Sequence, residues 1–273
     1  MTADSKPKSV AKTEAGGTLR MLSLNIQVGL HTSQYWHYLT HAWRHLVPTR
    51  SAQLNLERIA KLVSRYDIVA LQEADAGSLR TAQLNQVAHL AERAGFAYWH
   101  AAVTRDLRPF AQHCLGCLSR WPLEKVQYHA LPGWLPGRGA LEIEIRPQGC
   151  EPLRLFIVHL ALGRGARARQ LQFISALIHD RIDTILLGDL NCEASELTAH
   201  DGLRNARLRG VHNQHTFPSW RPSRSLDHIL VTPAVDVISA TVLDDRLSDH
   251  LPVATEIRLR LEGSSMEKVR SKK

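Results

Sequence analysis

Six short stretches of this chain end or begin an apolar run on a side chain able to bind a cation or move a proton. They are Asn25 in SLNIQ, Glu73 in LQEAD, His159 in FIVHL, Asp189 and Asn191 in GDLN, Asp227 in SLDHIL, and Asp249 with His250 in LSDHLP. Strand ends are where a rigid scaffold holds polar groups at the lip of a cleft. Taken singly, each has an ordinary explanation. A Glu after an apolar strand is commonly a loop residue, Asp-Leu-Asn is a competent turn, and Ser-Asp-His-Leu-Pro also reads as the start of a strand. Together they assemble carboxylate and amide oxygens with imidazoles. Such oxygens are hard ligands suited to Mg²⁺ or Mn²⁺, and soft donors are missing from the set.

The elements that must position these residues alternate between strands and helices. Residues 19–27 alternate apolar and polar side chains as a half-buried strand does. Helical spacing over 56–66 runs into an apolar strand at 67–73, and a second helix over 85–95 stops at Gly95. Strands follow at 113–119, 124–130, 139–146 and 153–160, then a basic helix over 165–180 and a buried strand at 183–191. The last third reads as strands at 226–232, 234–244 and 251–261. Helices and strands come in both orders, with many strands adjacent in sequence. That pattern predicts two mixed sheets packed face to face with helices outside. His228, next to Asp227 on its strand, is expected on the opposite face, in a structural role.

With 273 residues, 44% hydrophobic and 22% charged, the chain has an ordinary globular composition and room for one substantial core. Residues 1–17 and 262–273 read as polar tails around one domain spanning 18–261. The start of the chain lacks the apolar stretch of a secretory signal, and no run approaches the roughly 18 apolar residues of a spanning helix, so a cytoplasmic location is expected. Cys114 and Cys117 form a C-x-x-C without a second ligand pair, inside an apolar strand, which favours a core role over metal or redox chemistry. The net charge of +8 favours a polyanionic partner, nucleic acid foremost and anionic lipid as the alternative.

The ordered series N…LQE…H…GDLN…LDHI…SDHLP resembles the endonuclease/exonuclease/phosphatase (DNase I-like) superfamily, with the core motifs in order from about residue 19 to 260. That resemblance implies a four-layer α/β/β/α sandwich. It also implies roles: Glu73 as principal metal ligand with Asn25 and Asp249 close to the same ion, Asp189 as the base for an attacking water, and Asn191 holding the phosphate. His250 would contact a nonbridging oxygen with Asp227 orienting its ring, and His159 would lie near the leaving group. These roles agree with the needs of phosphoryl transfer, which are positioning and neutralisation of charge.

Departures from the pattern narrow the branch. His159 stands where exonuclease III-type enzymes resemble one another in a tyrosine, and Gln27 where they have an aspartate, pointing to the DNase I, deadenylase and sphingomyelinase side. The stretch Cys114-Leu115-Gly116 replaces a Gly-Asn-Ala pattern common in the superfamily. Residues 29–50 read as a helical insertion, with Trp36, Leu39, Trp43 and Val47 in one stripe and His37, His41 and His45 on a neighbouring face. It is either a helix packed on the core or a lid over the cleft. Arg164 and Arg167, just after the His159 strand, and Trp220 with Arg221, just before Asp227, are candidates for substrate contact, with Arg169 on the same basic helix and Trp134 a further loop aromatic.

The expected function is a Mg²⁺- or Mn²⁺-dependent phosphodiesterase working by in-line attack of water, acting on DNA or RNA. The alternatives are a sphingomyelinase-like phospholipid activity, a small-molecule phosphodiesterase or phosphatase, and a binding protein that keeps the fold without turnover. Vesicle co-sedimentation separates the lipid reading from the nucleic-acid one, and divalent-ion titration separates an enzyme from a scaffold.

Overall fold

A computed structural model describes residues 17–29, 50–134, 136–179 and 181–263. The expected tails lie outside the described residues except at their inner edges, and so does the expected insertion apart from Gly29 and Arg50. The strands are β1 (Thr18–Asn25), β2 (Ile68–Asp75), β3 (Tyr98–Leu107), β4 (Ala111–Ser119), β5 (Leu123–Ala130), β6 (Gly139–Ile145), β7 (Leu153–His159), β8 (Asp183–Asp189), β9 (Arg209–Gly210), β10 (Asp227–Val231), β11 (Asp236–Val242) and β12 (Val253–Arg258). The helices are α1 (Arg50–Val63), α2 (Gln86–Ala94), α3 (Arg164–Leu177), α4 (Ala194–Ala199) and α5 (Asp201–Asn205). Two six-stranded sheets run in the orders β11-β12-β1-β2-β4-β3 and β5-β6-β7-β8-β10-β9. This is the expected sandwich of two mixed sheets.

Side-chain alternation builds the layers. On β1, Leu19 and Met21 face the other sheet, while Leu22 and Leu24 face α1 and α2. On the second sheet Leu155, Ile157, Ile185 and Leu187 face inward, and Phe156, Val158 and Leu186 pack under α3. Each fully buried Leu or Ile contributes about 2 kcal/mol of apolar transfer, so both faces of both sheets must be covered, which makes four layers. Cys114 and Cys117, three apart on β4, fall on opposite faces. Both are buried free thiols pushed up to about 12 by burial, in keeping with the core reading.

The two-residue strand β9 and three longer elements escaped the sequence reading. Strand β3 is an edge strand with no clean alternation of burial, and α4 and α5 are too short for helical periodicity to register. No helix among the described residues is long and apolar enough to cross a membrane.

Each sheet contains a parallel pair, β1 with β2 and β7 with β8, and both pairs sit mid-sheet. Parallel neighbours end at the same edge, so four strand ends converge where the space between the sheets opens.

Candidate active site

Alternation carries polar side chains onto the inter-sheet face at that edge. Asn25 continues the row of Leu19 and Met21, His159 that of Leu155 and Ile157, and Asp189 that of Ile185 and Leu187. Asp227 begins the row completed by Ile229 and Val231. Cross-strand register then lines up Gly139, His159, Asp189 and Asp227 side by side. Gly188 makes the close approach of β8 to β7 feasible. Its φ is +144°, and a Cβ there would lie 2.1 Å from the carbonyl oxygen of Val158.

Glu73 does not follow alternation, which would turn it outward with Leu71. The pairing of β2 with β4 shifts register between Leu71 and Ala74, and Glu73 adopts a φ of 55°. This bulge re-aims its carboxylate into the cleft. Gln27 and Asn191 also hold left-handed backbone, at φ 43° and 54°. Such strain, about 1 kcal/mol or more per residue, clusters where the surrounding structure over-determines a functional geometry.

The side chains form one network. Asn25 Nδ2 donates to Asp189 Oδ2 at 3.2 Å, while its Oδ1 accepts from the Gln27 amide. The Asn191 amide donates to Asp189 Oδ1 at 3.0 Å, and Asn191 Nδ2 donates to Leu160 O at 2.9 Å, leaving one side-chain N–H for a ligand. His250 Nδ1 lies 2.7 Å from Asp227 Oδ2, and its Nε2 lies 3.9 Å from Asp189 Oδ2. His159 Nε2 lies 3.5 Å from Asp189 Oδ2 and 3.7 Å from Glu73 Oε1. Asp249 is buried beside His250, and its backbone carbonyl accepts from the Ser219 amide at 2.8 Å.

Several residues that no motif pointed to hold this network. Thr216 Oγ1 accepts from the Asp227 amide at 3.2 Å. Ser248 Oγ donates to Asn25 O at 2.6 Å, tying the His250 loop to β1. The Phe217 ring packs on His250 at 4.9 Å. Small hydroxyl residues give no periodic signal. The Ser of Ser-Asp-His was the one visible hint.

The electrostatics separate the two imidazoles. Burial opposes the charged form of His250, yet the Asp227 and Asp189 carboxylates together hold it well above the usual histidine range. His159 lies near the Asp189 and Glu73 carboxylates as well, but burial, with the Arg138 and His250 charges nearby, outweighs them and holds it well below. Burial pushes Asp189 up to about 7, with Asp227 and Glu73 adding repulsion that His250 partly offsets. Burial and the Asp249 carboxylate raise Glu73.

Carboxylates raised in this way, Asp189 buried and Glu73 half-buried, mark a site with too little positive charge, and their oxygens are hard donors, so the residues fit a divalent cation. Asp189, Asp227 and His250 place ligand atoms within 4.8 Å of one another. A doubly protonated His250 has no lone pair to offer, however, so the Glu73 and Asp249 side of the cleft suits the ion better. Asn25 there turns its N–H groups toward the carboxylates.

The four expected substrate contacts divide. Arg164 is exposed at the start of α3, and Arg221 is exposed on the loop that carries Ser219. Trp220 is half-buried beside it. Arg167 needs correction. It shares the buried face of α3 with Gln170, Leu171 and Ile174. Its guanidinium donates to both Glu196 carboxylate oxygens at 2.8 Å and to the carbonyls of Ala161 and Leu162. It clips α3 to the loop after β7, with four of its five N–H donors engaged there. Arg169 is exposed, Trp134 is 98% exposed, and His228 is buried against the carbonyls of Cys192 and Ser225.

Residues 22–250 match the model of the Endonuclease/Exonuclease/phosphatase family. Among solved structures, the fold is similar to an endonuclease/exonuclease/phosphatase from Beutenbergia cavernae DSM 12333, with TM-score 0.71 and 21% identity, covering 89% of this chain and 72% of that one. It is similar to a family protein from Bacteroides thetaiotaomicron, with TM-score 0.70 and 17% identity, covering 91% of this chain and 100% of that one. A mannosyl-6-phosphatase from Bacteroides thetaiotaomicron VPI-5482 also shares the fold, with TM-score 0.67 and 17% identity, covering 88% of this chain and 99% of that one. No curated protein sequence matches the chain at a significant level.

Proposed function

From the premise that this chain belongs to the endonuclease/exonuclease/phosphatase family, we propose that it is a divalent-metal-dependent phosphodiesterase acting on nucleic acid. The observation that carries this reading is the convergence of Glu73, His159, Asp189 and the His250–Asp227 pair at one edge of the sandwich. Phosphodiester hydrolysis needs a base for water, donors for the nonbridging oxygens and a means of stabilising the leaving oxygen. Asp189, oriented by Asn25 and the Asn191 amide, is poised near neutral pH to take the proton of an attacking water. His250, held charged by Asp227, donates through Nε2 to a nonbridging oxygen. His159, kept neutral, stands on the other side of Asp189, placed to hydrogen-bond the leaving group. The free N–H of Asn191 gives a further contact to the phosphate.

Mg²⁺ or Mn²⁺ held by Glu73 and Asp249 close to Asn25 supplies neutralisation of phosphate charge when bound. The net charge of +8 and the exposed Arg164 and Arg221 support a polyanionic substrate. Trp220, beside Arg221, is placed to meet it.

The test is a panel of plasmid DNA, single-stranded DNA, RNA, sphingomyelin vesicles and bis-nitrophenyl phosphate, each with Mg²⁺ or Mn²⁺ and an Asp189→Ala control. Nucleic-acid cleavage lost in the control is the expected result. Cleavage that survives Asp189→Ala overturns the assignment of the base, and cleavage confined to vesicles overturns the substrate.

A further inference from the structure

A recess of about 220 Å³ opens beside Glu73 and His159. Its far wall is built from side chains that water attack does not require: Arg105 on β3, His113 on β4, and Arg138 just before β6, with Leu115 beneath them. Among the described residues no hydrogen bond or ion pair engages the guanidinium of Arg105 or Arg138. Arg105 is exposed and Arg138 half-buried, so both can turn to a ligand, whereas the buried arginines are committed to partners, as Arg80 is to Asp75, Arg154 to Glu144 and Arg167 to Glu196. Arg138 stands within electrostatic reach of Glu73 and Asp189, so a ligand on it adjoins the hydrolytic centre.

The placement of Arg105 is specific. The pairing of β3 with β4 shifts register between Val103 and Arg105, which sets Arg105 opposite His113. Thr104 Oγ1 donates to His113 O at 3.2 Å and pins that shift. Gly137, at φ +99°, presents bare backbone to the Arg105 stem, and a Cβ there would lie 3.0 Å from Arg105 Cβ and 3.1 Å from its Cδ. Arg80 backs the His113 ring, with guanidinium nitrogens 3.4 and 3.5 Å from the ring nitrogens. Burial and Arg80 hold that ring down to about 4, which leaves it a neutral hydrogen-bonding wall.

The geometry points to a second anion subsite in this recess: Arg105 and Arg138 hold a terminal phosphate monoester of the substrate, and cleavage is directed to the phosphodiester next to it. The second half rests on the phosphodiesterase reading. A monoester carries nearly two negative charges at neutral pH, against one for a diester, and two guanidinium forks match it. A recess of this volume admits an end group rather than a strand running through.

The experiment compares oligonucleotides of one sequence bearing a 5′-phosphate, a 3′-phosphate or hydroxyls at both ends. In the wild type, kcat/KM for one phosphorylated end is expected to exceed the hydroxyl form by about tenfold, the scale of one charge-assisted contact. Arg105→Ala brings that ratio near one and Arg105→Glu takes it below one. Arg65→Ala, an exposed arginine outside the recess, keeps it. Equal rates in the wild type, or a preference that survives both Arg105 variants, overturn the subsite. Isothermal titration runs in parallel with a nucleoside 5′-monophosphate and a nucleoside 3′,5′-bisphosphate. Tighter binding of the bisphosphate, lost in Arg105→Ala, supports the subsite; equal affinities overturn it. If no oligonucleotide is cut, the hydrolytic reading fails and the titration alone decides the subsite.

Discussion

Asp227→Asn separates the orientation of His250 from its charge. The wild-type carboxylate lies 2.7 Å from His250 Nδ1, with Asp227 1% and His250 6% exposed. Opposite charges about 4 Å apart at an effective dielectric of about 20 attract by about 4 kcal/mol. The isosteric amide keeps a hydrogen bond to the ring and loses that attraction, while the burial that opposes a charged ring remains. With the Asp227 charge gone, only Asp189 and Asp249 oppose that burial, so His250 stays charged over a narrower pH range and the donor facing the nonbridging oxygen is weakened or misplaced. The kcat for bis-nitrophenyl phosphate is expected to fall on the order of 10² to 10⁴-fold, the usual worth of a positioned proton donor, with a smaller change in KM. Proton–carbon NMR of the histidine rings reads the charge directly. His250 has its folded pKa raised, so its stabilisation is whole below the unfolded value of about 6.5 and fades as pH rises through the folded one. The Tm deficit of Asp227→Asn is therefore larger at low pH than at high pH. Unchanged kcat, or lost activity with His250 still charged over the wild-type range, refutes this account of the pair.

Asp189, raised to about 7 by burial among carboxylates, favours the metal-free fold fully only below its unfolded pKa of about 4, and loses that contribution as pH rises through about 7. The Tm gain on adding Mn²⁺ should accordingly be larger at pH 8 than at pH 6, as scanning calorimetry will show; a gain independent of pH argues against an ion at these carboxylates. Gly188→Ala forces a Cβ against the backbone of Val158 and should cost about 3 kcal/mol or more in urea unfolding, with activity lost in the fraction that still folds. Asp75 accepts hydrogen bonds from Arg80, Ser78 and the Gly77 amide and is fully buried; Asp75→Ala strands the Arg80 charge and should cost about 3 to 5 kcal/mol in urea unfolding at pH 7. Burial alone would raise Asp75, but those bonds hold it below the usual carboxylate range. Its contribution is present above the unfolded value and lost as pH falls through the folded one, so the deficit of the variant narrows in acid.

The sequence by itself determined the layers and most of the convergence, because the two-residue period of a strand is local. Once Leu19 and Met21 face the other sheet, so must Asn25, and the same parity carries His159 after Ile157, Asp189 after Leu187 and Asp227 before Ile229. His228 could be assigned to the outer face on the same ground. Parity fails at Glu73, where only the pairing of β2 with β4 creates the bulge that turns the carboxylate inward. It fails in another way at Arg167, which composition marks as a solvated cation and helical position buries against Glu196. Thr216, Ser219 and Ser248 matter through partners far away in sequence, and Arg105 reaches the cleft through a register shift on an edge strand. Local periodicity determines which way a side chain points; long-range strand pairing decides where that rule is broken, and it is broken beside the cleft.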